Sequence, residues 1–139
     1  MAHDSTHIYI AYINHGLIDI DNFWAWGLYI DTDNNPATGF SVGAIGAEFI
    51  LDDGYKLKKY RGGGNNWRWR KKGVATYKVS GNMVEMSFPR SWIGNTIKEF
   101  RLGFIGDNLA FQGGSGEDHY SDGLDNTNAA IQYFSYQIP

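Results

Sequence analysis

Asp31 and Asp33 stand two residues apart at the end of an apolar run, Phe23 to Ile30, that reads as a strand. Side chains alternate along a strand, so both carboxylates project to one side. Asn34, Asn35 and Thr38 add neutral oxygens, while Pro36 and Gly39 set a tight reversal. Hard cations such as calcium are held by six to eight oxygens of this kind. The spacing is not that of an EF-hand loop, and the same residues also make an ordinary polar hairpin turn. A second acidic segment, 106–128, carries Asp107, Glu117, Asp118, Asp122 and Asp125 among Gly and Asn. Repulsion among those carboxylates favours a second cation, and a solvated acidic loop is the alternative.

Positive charge is concentrated as well. Eight of the 12 Lys and Arg residues lie between Lys56 and Lys72, in a chain whose net charge is −3. Within that segment Trp67-Arg68-Trp69-Arg70 alternates, with the indoles on one face and the guanidinium groups on the other. Burying Trp costs less than burying an unpaired Arg. Trp67 and Trp69 are therefore expected to fill the core, with Arg68 and Arg70 outside; the alternative exposes the indoles as a sugar platform. Trp24 and Trp26, on the apolar run before Asp31, are also expected in the core. If the strands on either side of the 62–66 loop pair, one face gathers several cations and Tyr60. Such a face suits the carboxylates or sulfates of an acidic polymer, or serves as a strand edge guarded by Lys.

Catalytic chemistry has little support. His3, His7, His15 and His119 lack metalloprotease spacing, and no serine sits in a nucleophile-elbow context. Glu48, Glu85 and Glu117 offer carboxylates, but no separation that glycoside hydrolysis requires is fixed by the sequence. Met83 and Met86 fall on opposite strand faces with no paired His, so haem is not expected. A negative chain without a nucleic-acid motif argues against nucleic acid as a partner.

These residues need a scaffold, and the composition points to an all-β one. The chain has 139 residues, enough for one domain with a substantial core. Aromatics reach 16% and Gly numbers 18, with only three Pro and no Cys. Disulfides and thiolate metal sites are thus excluded. Strands are expected at His7 to Ile13, Phe23 to Ile30, Ala47 to Leu51, Tyr55 to Arg61, Trp67 to Lys71, Val74 to Val79, Met83 to Phe88, Phe100 to Ile105 and Ala130 to Ile138. A single helical turn is expected at Pro89 to Gly94. Short strands at regular spacing predict an antiparallel β-sandwich, in jelly-roll or immunoglobulin-like layers, with no long helix. No apolar run approaches the length of a membrane helix, and the first residues do not read as a signal peptide.

Asp31-Thr32-Asp33-Asn34-Asn35-Pro36-Ala37-Thr38-Gly39-Phe40, followed by Gly46-Ala47-Glu48-Phe49-Ile50, resembles the central hairpin of family 9 carbohydrate-binding modules and their DOMON-like relatives. The Asp4 to Ile13, Met83 to Pro89 and Phe100 to Phe104 stretches extend the likeness over most of the chain. The resemblance implies a secreted, extracellular bacterial β-sandwich covering 1–139, carried as a monomer within a larger chain and appended to a polysaccharide-degrading enzyme. It implies structural calcium, held by Asp31, Asp33 and Glu48. Relatives often have Asp where this chain has Glu48, whose longer carboxylate reaches the same ion. The family's sugar-binding tryptophans do not map onto identifiable positions here.

Together these readings predict a non-catalytic polysaccharide-binding module. An acidic polymer is favoured over a neutral one, gripped by Arg61, Arg68 and Arg70 with Tyr60 stacking. The alternative is a calcium-stiffened structural or adhesive domain without a sugar site; an enzyme is the third reading.

Overall fold

The computed structural model describes residues 1–13, 26–42, 44–52, 55–63, 66–107, 117–118 and 133–139. The strands, in chain order, are β1 (Ala2–His3), β2 (His7–Ile13), β3 (Trp26–Asp31), β4 (Phe40–Val42), β5 (Ile45–Ala47), β6 (Phe49–Asp52), β7 (Lys56–Tyr60), β8 (Trp69–Val74), β9 (Thr76–Ser80), β10 (Met83–Pro89), β11 (Glu99–Asp107), β12 (Glu117–Asp118) and β13 (Phe134–Gln137). Among the described residues every strand pairing is antiparallel. Among the described residues the only helical element is one 3-10 turn, Arg90–Trp92, which follows Pro89 where a single turn was expected. None of it is long and apolar enough to cross a membrane.

Alternation along each strand decides the layers. In β2, Ile8 and Ile10 are buried while Tyr9 and Ala11 are exposed; in β10, Val84, Met86 and Phe88 are buried. These strands lie in a four-stranded sheet of order β1-β2-β10-β9. A second, seven-stranded sheet runs β12-β11-β3-β6-β7-β8, with β13 also paired to β11. Leu28, Ile30, Phe49, Leu51, Leu57, Phe100 and Leu102 of this sheet pack against Ile8, Ile10, Val84, Met86 and Phe88 of the first in one apolar cluster. The two sheets therefore pack as a sandwich, as predicted. Burying a side chain of this kind stabilises by about 1.5–3 kcal/mol.

β3 is apolar on both faces, as its sequence suggests. Leu28 and Ile30 enter the sandwich core, while Tyr29 points the other way into a second cluster with Val42, Ile45, Ala47 and Ile50. That cluster exists because the β4–β5 hairpin pairs Phe40 with Ala47 and Val42 with Ile45, then folds over the outer face of the larger sheet. The expected strand Ala47 to Leu51 is in fact two strands, β5 and β6, broken at Glu48. The break aims the Glu48 side chain at the end of β3 rather than into a pleat.

Trp67 and Trp69 are not in the sandwich core, contrary to expectation. Trp69 is half-buried against the second cluster and Trp67 is 55% exposed. Sequence alternation separates two faces without saying which is interior, and here the aromatic face meets Tyr29 and Phe40 on the outside of the sheet. Trp24 and the side chain of Trp26 lie outside the described residues, as do most of 106–128 and the side chains a second acidic site there requires.

Candidate metal centre

Three elements bring the acidic residues together. Asp31 closes β3 and is fully buried, Asp33 lies in the turn that follows, and Glu48 occupies the β5–β6 break. One carboxylate oxygen from each lies within 4.8 Å of the others. The chain is folded onto this point by two close approaches. Gly39 has φ +68°, and a Cβ there would sit 2.6 Å from the Ala47 carbonyl carbon. At Gly46 a Cβ would meet the Thr38 carbonyl oxygen and lie 2.6 Å from that of Asn35. Only a residue without a side chain lets the loop and β5 come so near.

The turn is held by its own hydrogen bonds. Asp31 Oδ1 accepts from the Asn34 N–H at 2.7 Å and the Asp33 N–H at 3.3 Å. Asn34, with φ +57°, turns the chain in the left-handed region that Asn tolerates. Glu48 Oε2 accepts from the Thr32 N–H at 2.8 Å and the Thr32 hydroxyl at 3.1 Å.

What remains is a surplus of acceptors. Thr38 Oγ1 lies 3.0 Å from Asp33 Oδ1, 2.9 Å from Asp33 Oδ2, 3.2 Å from Glu48 Oε1 and 2.9 Å from the Asn35 carbonyl. A hydroxyl has one proton, so it serves one of these at a time. Asp31 Oδ2 is buried and accepts no hydrogen bond, and neither does the buried Asn34 Oδ1. The nearest charge to Asp31 Oδ2 is Nη1 of Arg101, 4.0 Å away, beyond hydrogen-bond length. Burial, with Asp33 and Asp31 close by, raises the Glu48 carboxyl above its usual range, although its bonds to Thr32 pull the other way. An oxygen-rich, partly dry, negatively charged cluster of this kind can coordinate a divalent cation.

The basic residues are placed differently. Tyr60 stands opposite Trp69, and Lys59 opposite Arg70, across β7 and β8. The Arg61 N–H donates to the Arg68 carbonyl at 2.8 Å, continuing that register. Alternation then puts Arg61, Arg68 and Arg70 with Lys59, whose ammonium lies 5.5 Å over the core ring of Phe49. The three arginines are exposed. Tyr60 faces the opposite way, with its hydroxyl buried and its ring 5.1 Å from Trp69 and 5.7 Å from Phe40. The expected group of Tyr60, Arg61, Arg68 and Arg70 is thus divided between two faces. The exposed aromatic beside Tyr60 is Trp67, 5.2 Å from Phe40 and 5.5 Å from Trp69.

Comparisons with protein-family models, curated proteins and solved structures return no match, so the fold and the site rest on the chain's own geometry.

Proposed function

We propose that this chain is a non-catalytic polysaccharide-binding domain of the extracellular, family 9-like kind, stiffened by a structural calcium ion between Asp31, Asp33 and Glu48. The observation that carries the cation is Asp31 Oδ2, a buried carboxylate oxygen with no hydrogen bond, set within 4.8 Å of two further carboxylates. A buried carboxylate oxygen left without a hydrogen bond is costly. Calcium is the hard, oxygen-seeking dication that such a mixed carboxylate and neutral-oxygen set fits.

The polymer is supported by the resemblance of the 31–50 hairpin and by the row of exposed guanidinium groups. Arg61, Arg68 and Arg70 grip carboxylates or sulfates of an acidic chain through paired hydrogen bonds. Each exposed contact is worth only about 0.2–1 kcal/mol, so several act together. Tyr60, turned to the other face, does not stack in that contact.

Affinity electrophoresis in alginate or a sulfated glycan, against neutral β-glucan, tests this reading. Retardation by the acidic polymer should weaken in Arg68→Ala and Arg70→Ala and fade with added salt. A domain retained by no polysaccharide, yet still stabilised by calcium, would instead be a structural or adhesive unit.

A further inference from the structure

Arg101 stands directly opposite Asp31 across β11 and β3, and opposite Ser135 of β13 on its other side. Phe100 and Leu102, its neighbours in β11, enter the sandwich core, and so does Ile30 before Asp31. Alternation therefore turns Arg101 and Asp31 to the same outer face of the larger sheet.

The guanidinium has two neighbours and is bonded to neither. Nη1 lies 4.0 Å from Asp31 Oδ2, too far for a hydrogen bond. Nε is buried and donates to nothing, while Asp31 Oδ2 is buried and accepts from nothing. The guanidinium carbon also lies 4.6 Å over the ring of Tyr133, just before β13. At that distance an aromatic face attracts a cation. Only 22% of the Arg101 side chain is exposed, and none of the Asp31 side chain, so water screens their attraction weakly. Two opposite charges with unused bonding groups thus face one another as an ion pair left unclosed.

We propose that Arg101 is a displaceable counter-ion of the Asp31, Asp33 and Glu48 centre. Its guanidinium closes on Asp31 Oδ2 when the centre holds no cation, and rests on the Tyr133 ring when a divalent cation takes that oxygen. The two cannot share it, because like charges a few ångströms apart repel. The protein thus competes with the cation for one ligand, and sets the affinity below what three carboxylates alone would give. A planar, weakly hydrated guanidinium suits both positions, since it pairs with a carboxylate and stacks on an aromatic face. Tyr133 leads into β13, which pairs with β11 on the side away from β3, so occupancy of the centre is felt at that strand. The proposal rests on the cation reading above, and adds to it the residue that regulates the site.

The test is calorimetric titration of the chelator-treated whole chain with calcium chloride. Arg101→Met removes the competitor at similar length, and should tighten binding about tenfold, equivalent to about 1.4 kcal/mol. Its melting temperature should fall in chelator, where the ion pair is lost, and recover with calcium. Arg101→Lys, which keeps a charge, should bind within a few-fold of the parent. Lys72→Met makes the same change of net charge at an exposed position of β8, and should leave affinity unchanged. Tyr133→Ala removes the resting place, and should weaken binding several-fold. In the unsubstituted chain, the NMR signals of the Arg101 Nε–H and the Tyr133 ring should shift together in proportion to calcium bound, a readout that needs no variant to fold. Binding that is unchanged or weaker in Arg101→Met, an equal gain in Lys72→Met, or a Tyr133 ring indifferent to bound calcium overturns the proposal and leaves the cation site standing. If neither the parent nor Arg101→Met binds calcium, the cation reading fails and the proposal with it.

Discussion

The backbone carbonyl of Glu48 accepts a hydrogen bond from the backbone N–H of Tyr60 at 2.8 Å. A residue of the candidate metal centre and a residue of the outer aromatic cluster are therefore tied to each other through one backbone hydrogen bond. Phe40, which follows Gly39 at the end of the acidic turn, packs on Trp67, Trp69 and Tyr60. Occupancy of the metal centre should consequently be visible in the indoles. Adding calcium to chelator-treated protein should shift tryptophan emission to shorter wavelength, and Trp67→Phe should remove much of the change. Emission that ignores calcium while the melting curve responds would separate the two regions.

Calcium should raise the melting temperature of chelated protein. An ion that binds only the folded chain stabilises it by about 2.7 kcal/mol at a hundredfold excess over Kd, roughly 10 °C for a chain of this size. Asp31→Asn keeps the shape of the side chain but removes the buried charge. Its melting temperature should no longer respond to calcium or chelator.

Gly46→Ala tests the site without touching a ligand. The new methyl group meets the carbonyl oxygens of Thr38 and Asn35, so β5 must move away from the acidic turn. Calcium affinity, read by isothermal titration, should fall at least tenfold, equivalent to about 1.4 kcal/mol. Unchanged affinity would show that the close approach is incidental to the site.

The pH dependence follows from Glu48. Its carboxyl is raised in the folded chain, chiefly by burial, so the folded state holds more protons than the unfolded state just above the ordinary glutamate range. Stability of the chelated protein should then fall as pH rises through that window and recover on mild acidification. Asp4, whose carboxyl is lowered, acts with the opposite sign and at lower pH, below its ordinary value. With calcium present the Glu48 trend should reverse, because protonation there competes with the ion. Denaturant melts between about pH 4.5 and 7, with and without chelator, check the reversal.

The sandwich core gives a control in the sheet that carries none of the candidate metal ligands. Phe88→Ala, at a fully buried position, should cost about 3–5 kcal/mol in urea denaturation. The calcium-induced stabilisation should persist in whatever fraction remains folded.

Asp31 and Asp33 were legible as part of an acidic cluster able to coordinate a cation because a strand end and its turn are local in sequence, and their oxygens need no distant partner to be recognised. Glu48 was legible only through the resemblance of the hairpin, since nothing in the residues around it announces the break between β5 and β6. The indoles were misjudged for a different reason. Alternation at Trp67 and Trp69 is equally satisfied by either side of the sheet, and the choice was made by the β4–β5 hairpin, whose strands of three residues each are too short to read from the sequence. The register of the smaller sheet could not be read at all: Tyr9 and Thr76 flank Ser87 of β10 although they are 67 positions apart in the chain.

Asn34 lies in the left-handed region, and Asp31 Oδ1 already holds the Asn34 and Asp33 amides. The acidic turn thus takes its shape from hydrogen bonds within itself. A cation held there would add to an arrangement the polypeptide already makes, so removing it should lower stability while leaving the strand pairing of the two sheets in place.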